Sequence, residues 1–179
     1  MKIVIATPLY PPDIEPTALY CKEFARRLAG AGHSVVVATY GNIPEDVPGV
    51  TVTTTDKRQF LLVRIILYTM SLWKSIKDAN VIYVQNGASV EFPLFILSFV
   101  AKKPIVLLST DTNATERAEK NLFLKKLRQA IEHRAHLIIK KLPPQKPEIL
   151  PFVPQPTHAL TEYETAWQQH IQQLTHITP

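Results

Sequence analysis

The chain is short of two residue types that would each mark a definite class of protein. It has one cysteine, Cys21, among 179 residues. That excludes a disulfide scaffold and a zinc site of thiolates drawn from this chain alone, and it fits a reducing cytosol. Glycine is also scarce, at 5 against 15 prolines. Nucleotide-binding loops spend glycines where backbone must approach phosphate, so the scarcity weighs against a phosphate-cradling loop. No P-loop and no G-x-S-x-G elbow occurs. Gly30 and Gly32 follow a helical pattern instead of a strand, which reads as a helix C-cap needing positive φ. No apolar run reaches the roughly 18–20 residues of a membrane-spanning helix. The opening MKIVIATPLYPP has a very short apolar stretch that runs into Pro8, Pro11 and Pro12. It lacks the apolar core of a signal peptide, so a cytoplasmic protein is expected.

What is present describes one globular domain with an appendage. Hydrophobic residues make up 46% of the chain, enough to bury a real core and to exclude disorder of the whole. The net charge of +5 points to an anionic partner. Membrane headgroups, a sugar-phosphate and nucleic acid are the three candidates.

Short apolar runs alternate with amphipathic stretches. Strands are expected over 2–6, 34–39, 50–54, 81–84, 105–108 and 137–139. Helices are expected over 17–29, 58–78, 90–101 and 116–134. Leu19, Phe24 and Leu28 mark the apolar side of the first helix, and Leu122, Leu127 and Ile131 that of the fourth. This alternation predicts an α/β fold with a single doubly wound, mostly parallel sheet, spanning residues 1–141. Residues 142–160 form a proline-rich connector, with six prolines between Leu142 and Pro156, and a short strand is expected at Glu148–Leu150. Residues 161–179 hold a last helix over 161–174. It is expected to start at Thr161, with Glu162 and Glu164 in its first turn. Tyr163, Trp167, Ile171 and Leu174 form one apolar stripe, which predicts that the helix packs on the domain.

The order of motifs resembles the N-terminal, acceptor-side domain of family 4 retaining glycosyltransferases. The likeness lies in the opening strand and its Tyr10-Pro-Pro-Asp-Ile14 loop, in Tyr20-Cys-Lys-Glu-Phe-Ala-Arg-Arg-Leu-Ala29, and in Gly32-His-Ser-Val-Val-Val37 with Thr39-Tyr-Gly41. It resumes at Asp78-Ala-Asn-Val-Ile-Tyr-Val-Gln-Asn-Gly87 and at Lys103-Pro-Ile-Val106. The resemblance implies the Rossmann-like half of a GT-B fold, in which a second domain carries the sugar nucleotide and an E-x₇-E motif. After the last expected strand some 40 residues remain, so the donor domain is expected to be missing and the final helix to be the family's C-terminal crossing helix. Where the family has paired glycines, this chain has Glu15 and Pro16. A carboxylate and a missing N–H both oppose phosphate binding.

Candidate site residues follow from position and from the resemblance. Asp13, Glu15 and Asp111 are expected at C-terminal strand ends, the ligand edge of an open α/β sheet. Each reads either as a contact to an acceptor hydroxyl or as a turn or helix-cap acid. Gln85 and Asn86 are a turn signal first and a sugar-hydroxyl contact second. Tyr10 is either a stacking platform or a packed loop residue. The expected substrate-binding set is Tyr10, Asp13, Gln85, Asn86 and Asp111. The catalytic group is undetermined, with Asp111 its one candidate. His133 and His136 lack a carboxylate at metal spacing, so no metal is expected, and no cofactor. Cys21 reads as a packed thiol.

The helix at 58–78 is apolar around much of its circumference and basic at its ends, through Lys57, Arg58, Lys74 and Lys77, with Arg64 between them. It reads as a helix at an anionic membrane surface, peripheral at the inner face, or as a core helix. Lys120, Lys125, Lys126 and Arg128 read as a solvated face. No RNA- or DNA-binding module is recognisable, which disfavours nucleic acid. The leading expectation is a glycosyltransferase-like acceptor-binding domain. It would work with a separate donor-binding subunit on a sugar or lipid-linked acceptor. The alternative is an inactive relative serving as a binding or scaffold protein. A lone enzyme is disfavoured, because one domain offers no opposite wall to exclude water.

Overall fold

The computed structural model describes residues 1–41, 43–144, 157–175 and 177. The chain divides into two units, Met1–Lys140 and Lys141–Pro179. The first holds a six-stranded, all-parallel sheet. Its strands are β1 (Lys2–Ala6), β2 (Ser34–Tyr40), β3 (Val50–Thr55), β4 (Val81–Gln85), β5 (Ile105–Leu108) and β6 (Leu137–Ile139). They lie in the order β3-β2-β1-β4-β5-β6, the doubly wound arrangement whose direction reverses between β1 and β4. The expected α/β class and parallel sheet are therefore observed.

The helices of this unit are α1 (Pro16–Gly30), α2 (Leu61–Ile76), α3 (Ala88–Ala101), α4 (Thr112–Lys120) and α5 (Leu122–Arg134). Right-handed crossovers put α1 on one face of the sheet and α2, α3 and α5 on the other. On the second face, Val4, Ala6, Ile82, Val84, Ile105 and Leu107 meet Tyr68, Leu72, Ile76, Leu94, Leu97 and Ile131 in one core. On the first, Phe24 of α1 lies 4.6 Å from the Tyr83 ring of β4 and 5.6 Å from Tyr20. The hydroxyls of Tyr20 and Tyr83 share a hydrogen bond of 2.7 Å.

Several expectations require correction. The stretch 116–134 is two helices, because Asn121 turns extended between them and its Oδ1 accepts from the Phe123 and Leu124 N–H groups. That starts a new helix, and Leu122 ends up 78% exposed, away from buried Leu127 and Ile131. Leu19 is also exposed; Ala18, Cys21, Ala25 and Leu28 supply the buried side of α1 with Tyr20 and Phe24. Helix α2 starts three residues later than expected, since Asp56 Oδ1 accepts from the Arg58 N–H at 2.8 Å and closes a turn there. At the end of α1, Gly32 has φ +83°, whereas Gly30 remains helical.

The second unit contains α6 (Thr157–Thr175). It begins four residues before the expected Thr161, whose carbonyl instead accepts from the Thr165 hydroxyl at 2.8 Å inside the helix. Tyr163, Trp167 and Leu174 of the expected stripe are buried. Ile171 is half-buried, and His170 joins the buried set. Burial pulls the His170 imidazole down to about 4. The strand expected at Glu148–Leu150 lies outside the described residues.

Candidate functional site at the sheet edge

The ligand edge of this sheet is built by the segments that leave the C-terminal end of each strand. After β1 the chain reads Thr7-Pro-Leu-Tyr-Pro-Pro-Asp13 before α1 begins. Three of those residues are prolines, which restrict the backbone, and the Pro11–Pro12 bond is cis. The Asp13 N–H donates to the Tyr10 carbonyl at 3.2 Å, closing the loop on itself. The Glu45 N–H donates to the Pro11 carbonyl at 3.0 Å and ties the segment after β2 to the same loop.

Between this loop and the ends of β2 and β3 lies a cavity of about 410 Å³. Tyr10, Pro11, Pro12 and Asp13 form one wall, and Thr39, Tyr40, Gly41, Ile43 and Pro44 a second. Thr54, Lys57 and Arg58 close the third. Lys57 Nζ stands 2.9 Å from Asp13 Oδ2, so the rim carries an ion pair beside a further cation. Tyr10 is 2% exposed, and its hydroxyl has no hydrogen-bond partner among the described residues. Burial, reinforced by Cys21, Glu45 and Asp46, pushes that hydroxyl up to about 12. It is therefore a neutral donor at any physiological pH. Thr39 Oγ1 is likewise buried and unpartnered. Both hydroxyls belong to residues that line the cavity but lie beneath its surface, and a buried polar group normally finds a partner. Tyr40 is anchored, with its hydroxyl donating to the Ser89 carbonyl at 2.7 Å and its ring stacked 4.3 Å from Tyr68.

The structure brings Tyr10 and Asp13 to this cavity and places the other expected residues elsewhere along the edge. Gln85 ends β4 fully buried. Its Oε1 faces the Thr7 hydroxyl at 2.5 Å and the Cys21 thiol at 3.2 Å, while its Nε2 has no partner among the described residues. Thr7 also faces the Leu9 carbonyl at 2.7 Å, and its single proton can serve only one acceptor. Cys21 is fully buried, and burial pushes its thiol up to about 12. It is a packed group with almost no thiolate character. Asn86 Nδ2 donates to the Asp111 carbonyl at 3.0 Å, and the Asp111 N–H donates to Asn86 Oδ1 at 3.1 Å. Asp111 Oδ1 accepts from the Ala114 N–H at 3.0 Å and caps α4. Between them, Gly87 holds φ +154° at the start of α3, with a Cβ placed there 3.4 Å from Pro8.

Glu15 is exposed and precedes α1 without capping it through its side chain. Pro16 at the first helical position supplies no N–H, so this terminus has one fewer donor to offer an anion. Among the described residues no three His, Cys, Asp or Glu side chains converge as a metal site. His136 instead accepts from the Ile105 N–H at 3.4 Å. Sequence reasoning missed Thr39, Thr54, Lys57 and Arg58. All four sit at or just beyond strand C-termini, so the edge rule applied to β2 and β3 as well as β1 finds them.

No protein-family model matches the sequence, and no curated protein matches it. The fold does match solved structures. The C-terminal domain of the coenzyme A biosynthesis bifunctional protein CoaBC superposes with a TM-score of 0.54 at 14% identity, over 97% of this chain and 93% of that one. HepE of Anabaena, in complex with UDP and glucose, superposes with a TM-score of 0.55 at 14% identity, over 93% of this chain. In complex with UDP alone it gives 0.54 at 16% identity. This chain spans 41% of the HepE chain. At such identities the likeness is one of fold, and the fold it shows is the Rossmann-like, doubly wound α/β domain.

Proposed function

We propose that this chain is a glycosyltransferase-like acceptor-binding domain, the acceptor-side half of a GT-B fold, which takes part in glycosyl transfer together with a donor-binding partner. The cavity after β1, β2 and β3 carries the reading. It is roomy enough for a sugar ring and has two buried hydroxyls, Tyr10 and Thr39, with unspent hydrogen-bonding capacity. Leaving such a group unpaired costs about 1–3 kcal/mol, which the hydroxyls of a polyol ligand would offset once the wall shifts to admit them. The Asp13–Lys57 pair at the rim offers an acceptor and a donor side by side. The motif order of the sequence and the fold shared with HepE, which binds UDP and glucose, support the same reading. Glu15 and Pro16 argue that UDP is held by the partner and not by this chain.

A titration of the chain with a panel of neutral mono- and oligosaccharides and with UDP, followed by amide chemical shifts, tests this. Saccharides should perturb residues 10–13, 39–41 and 54–58, and UDP should leave them unmoved. Micromolar binding of UDP with no response to any saccharide would overturn the proposal. One observation favours a second reading, a relative without transferase activity that acts as a binding or scaffold protein. Asp111, the one carboxylate expected at a catalytic position, has an oxygen committed to capping α4. Product formation by the reconstituted pair of chains separates the two readings.

A further inference from the structure

Helix α2 buries Tyr68, Leu72, Ser75 and Ile76 against the sheet and leaves the opposite side bare. That side carries Leu62, Val63, Ile66, Leu67 and Met70, which are 44–65% exposed. Their spacing follows the helical repeat, so they form one stripe about two and a half turns long. Helix α3 packs beside α2 and adds Ile96, Phe99 and Val100, at 44–64% exposed. Exposed apolar groups scattered singly are ordinary, but a contiguous helical stripe with a neighbouring one is the mark of a docking surface.

The charges around this surface are predominantly basic, with exposed Asp78, next to Lys77, paired to Lys2 at 3.6 Å. No acid occurs between Lys57 and Lys77. The one acid of α3, Glu91, is buried. Lys74 and Lys77 continue the outward stripe into the last turn of α2 and just beyond it, with Lys77 Nζ 5.4 Å from the Trp73 ring centre. Lys102 and Lys103 follow α3, and the Arg134 guanidinium lies 3.7 Å from the centre of the Phe99 ring. Arg64 is not part of this rim. Its guanidinium turns inward, donating to the Lys57 carbonyl at 3.1 Å and lying 5.7 Å from the Tyr40 ring centre. No helix among the described residues is long and apolar enough to cross a membrane.

We propose that the outward face of α2 and α3 docks on an anionic lipid surface. The 16-residue α2 lies in the interface plane over about 24 Å, its apolar stripe at the acyl boundary and its lysines at the phosphates. A bilayer supplies both halves of the complement at once, hydrocarbon for the stripe and negative charge for a predominantly basic rim.

The test uses the full chain and vesicles of phosphatidylcholine, alone or mixed with phosphatidylglycerol. The chain should float with the mixed vesicles and stay behind with the neutral ones, and molar salt should weaken the association. Lys74→Glu with Lys77→Glu should cut partitioning about tenfold or more. Ile66→Gln with Met70→Gln should abolish it. All four positions face water, so the variants should melt with the wild type. In the wild-type protein itself, vesicles should slow amide exchange over 61–77 and 96–103 and nowhere else. Failure to float with either lipid overturns the proposal, as does equal flotation with both. So does a wild-type dimer that Ile66→Gln with Met70→Gln dissociates, since the face then belongs to a second copy of the chain.

Discussion

The two halves of the sheet's ligand edge differ in what surrounds their polar side chains. Beyond β4 and β5, Asn86 and Asp111 exchange two hydrogen bonds, Asp111 caps α4, and Arg128 reaches Ser109 at 2.6 Å and Glu132 at 3.0 Å. These bonds knit the segments after β4 and β5 together, although Gln85 Nε2 and Thr110 Oγ1 on this side are buried without partners among the described residues. Beyond β1, β2 and β3, two buried hydroxyls without partners among the described residues belong to the lining of a cavity with a rim ion pair. Both halves put polar residues at strand C-termini, where an open α/β sheet binds its ligands. Position alone therefore does not make a ligand residue. Nor does a buried unpartnered atom, which both halves contain; an adjoining cavity is the sharper criterion.

The contrast can be broken most forcefully at Asn86. Asn86→Ala strands the Asp111 N–H in a site where Asn86 itself is 1% exposed, while the Asp111 carbonyl keeps the Thr115 N–H and hydroxyl. It should lower the unfolding free energy by about 1–3 kcal/mol in urea titrations and leave saccharide binding at the cavity intact. A fully stable variant with lost binding would reverse the assignment of the two halves. Asp111→Ala removes only the cap of α4 and should cost about 1 kcal/mol, with Asp111→Asn restoring most of it.

Glu91, beneath the closed half, has its carboxyl pushed up, chiefly by burial and further by Glu132, against opposing effects from the Gly87 backbone and Arg128. A raised folded-state pKa means the native state holds the proton more tightly than the unfolded chain. Stability from this group is therefore full below the ordinary glutamate range and is lost as pH rises through the shifted value. Glu91→Gln should accordingly stabilise the protein at pH 7 and lose that advantage under acid conditions, as thermal melts across the range will show. A constant difference at every pH would mean that packing, not ionisation, carries the effect.

The smallest stability effect belongs to the open half. Tyr10→Phe deletes a hydroxyl that bonds to nothing among the described residues, so the melting free energy should stay within about 0.5 kcal/mol of wild type. Saccharide affinity should nevertheless fall. A destabilisation as large as that of Asn86→Ala would mean that this hydroxyl serves the fold after all.

The strands were the most legible part of the chain. β5 matches its expected span of 105–108 because four consecutive apolar residues follow Pro104 and give way to Ser109 and Thr110. All four are buried, so no alternation could blur the pattern. Helix ends were less legible. Asn121 reads as one polar residue in a charged helix until its side chain is seen to bond two N–H groups downstream. Thr161 followed by two acids reads as a helix start, yet the helix was already under way. Of the site, Tyr10 and Asp13 were visible through their proline loop. Lys57 and Arg58 were visible only as charges near a helix, because nothing local tells that the end of β3 faces the loop after β1.

Composition and pattern by themselves determined the α/β class, the parallel sheet, the order of elements and the unusual apolar breadth of α2. Those follow from burial periodicity along the chain, which is a local property. Only the tertiary structure decided which polar groups are spent and which side of α2 faces water. A hydrogen bond between Asn86 and Asp111, or a cavity between residues 10–13 and 39–58, joins positions far apart in sequence. Side-chain type states what a residue can bond, but only the packed neighbours settle whether that capacity is already used.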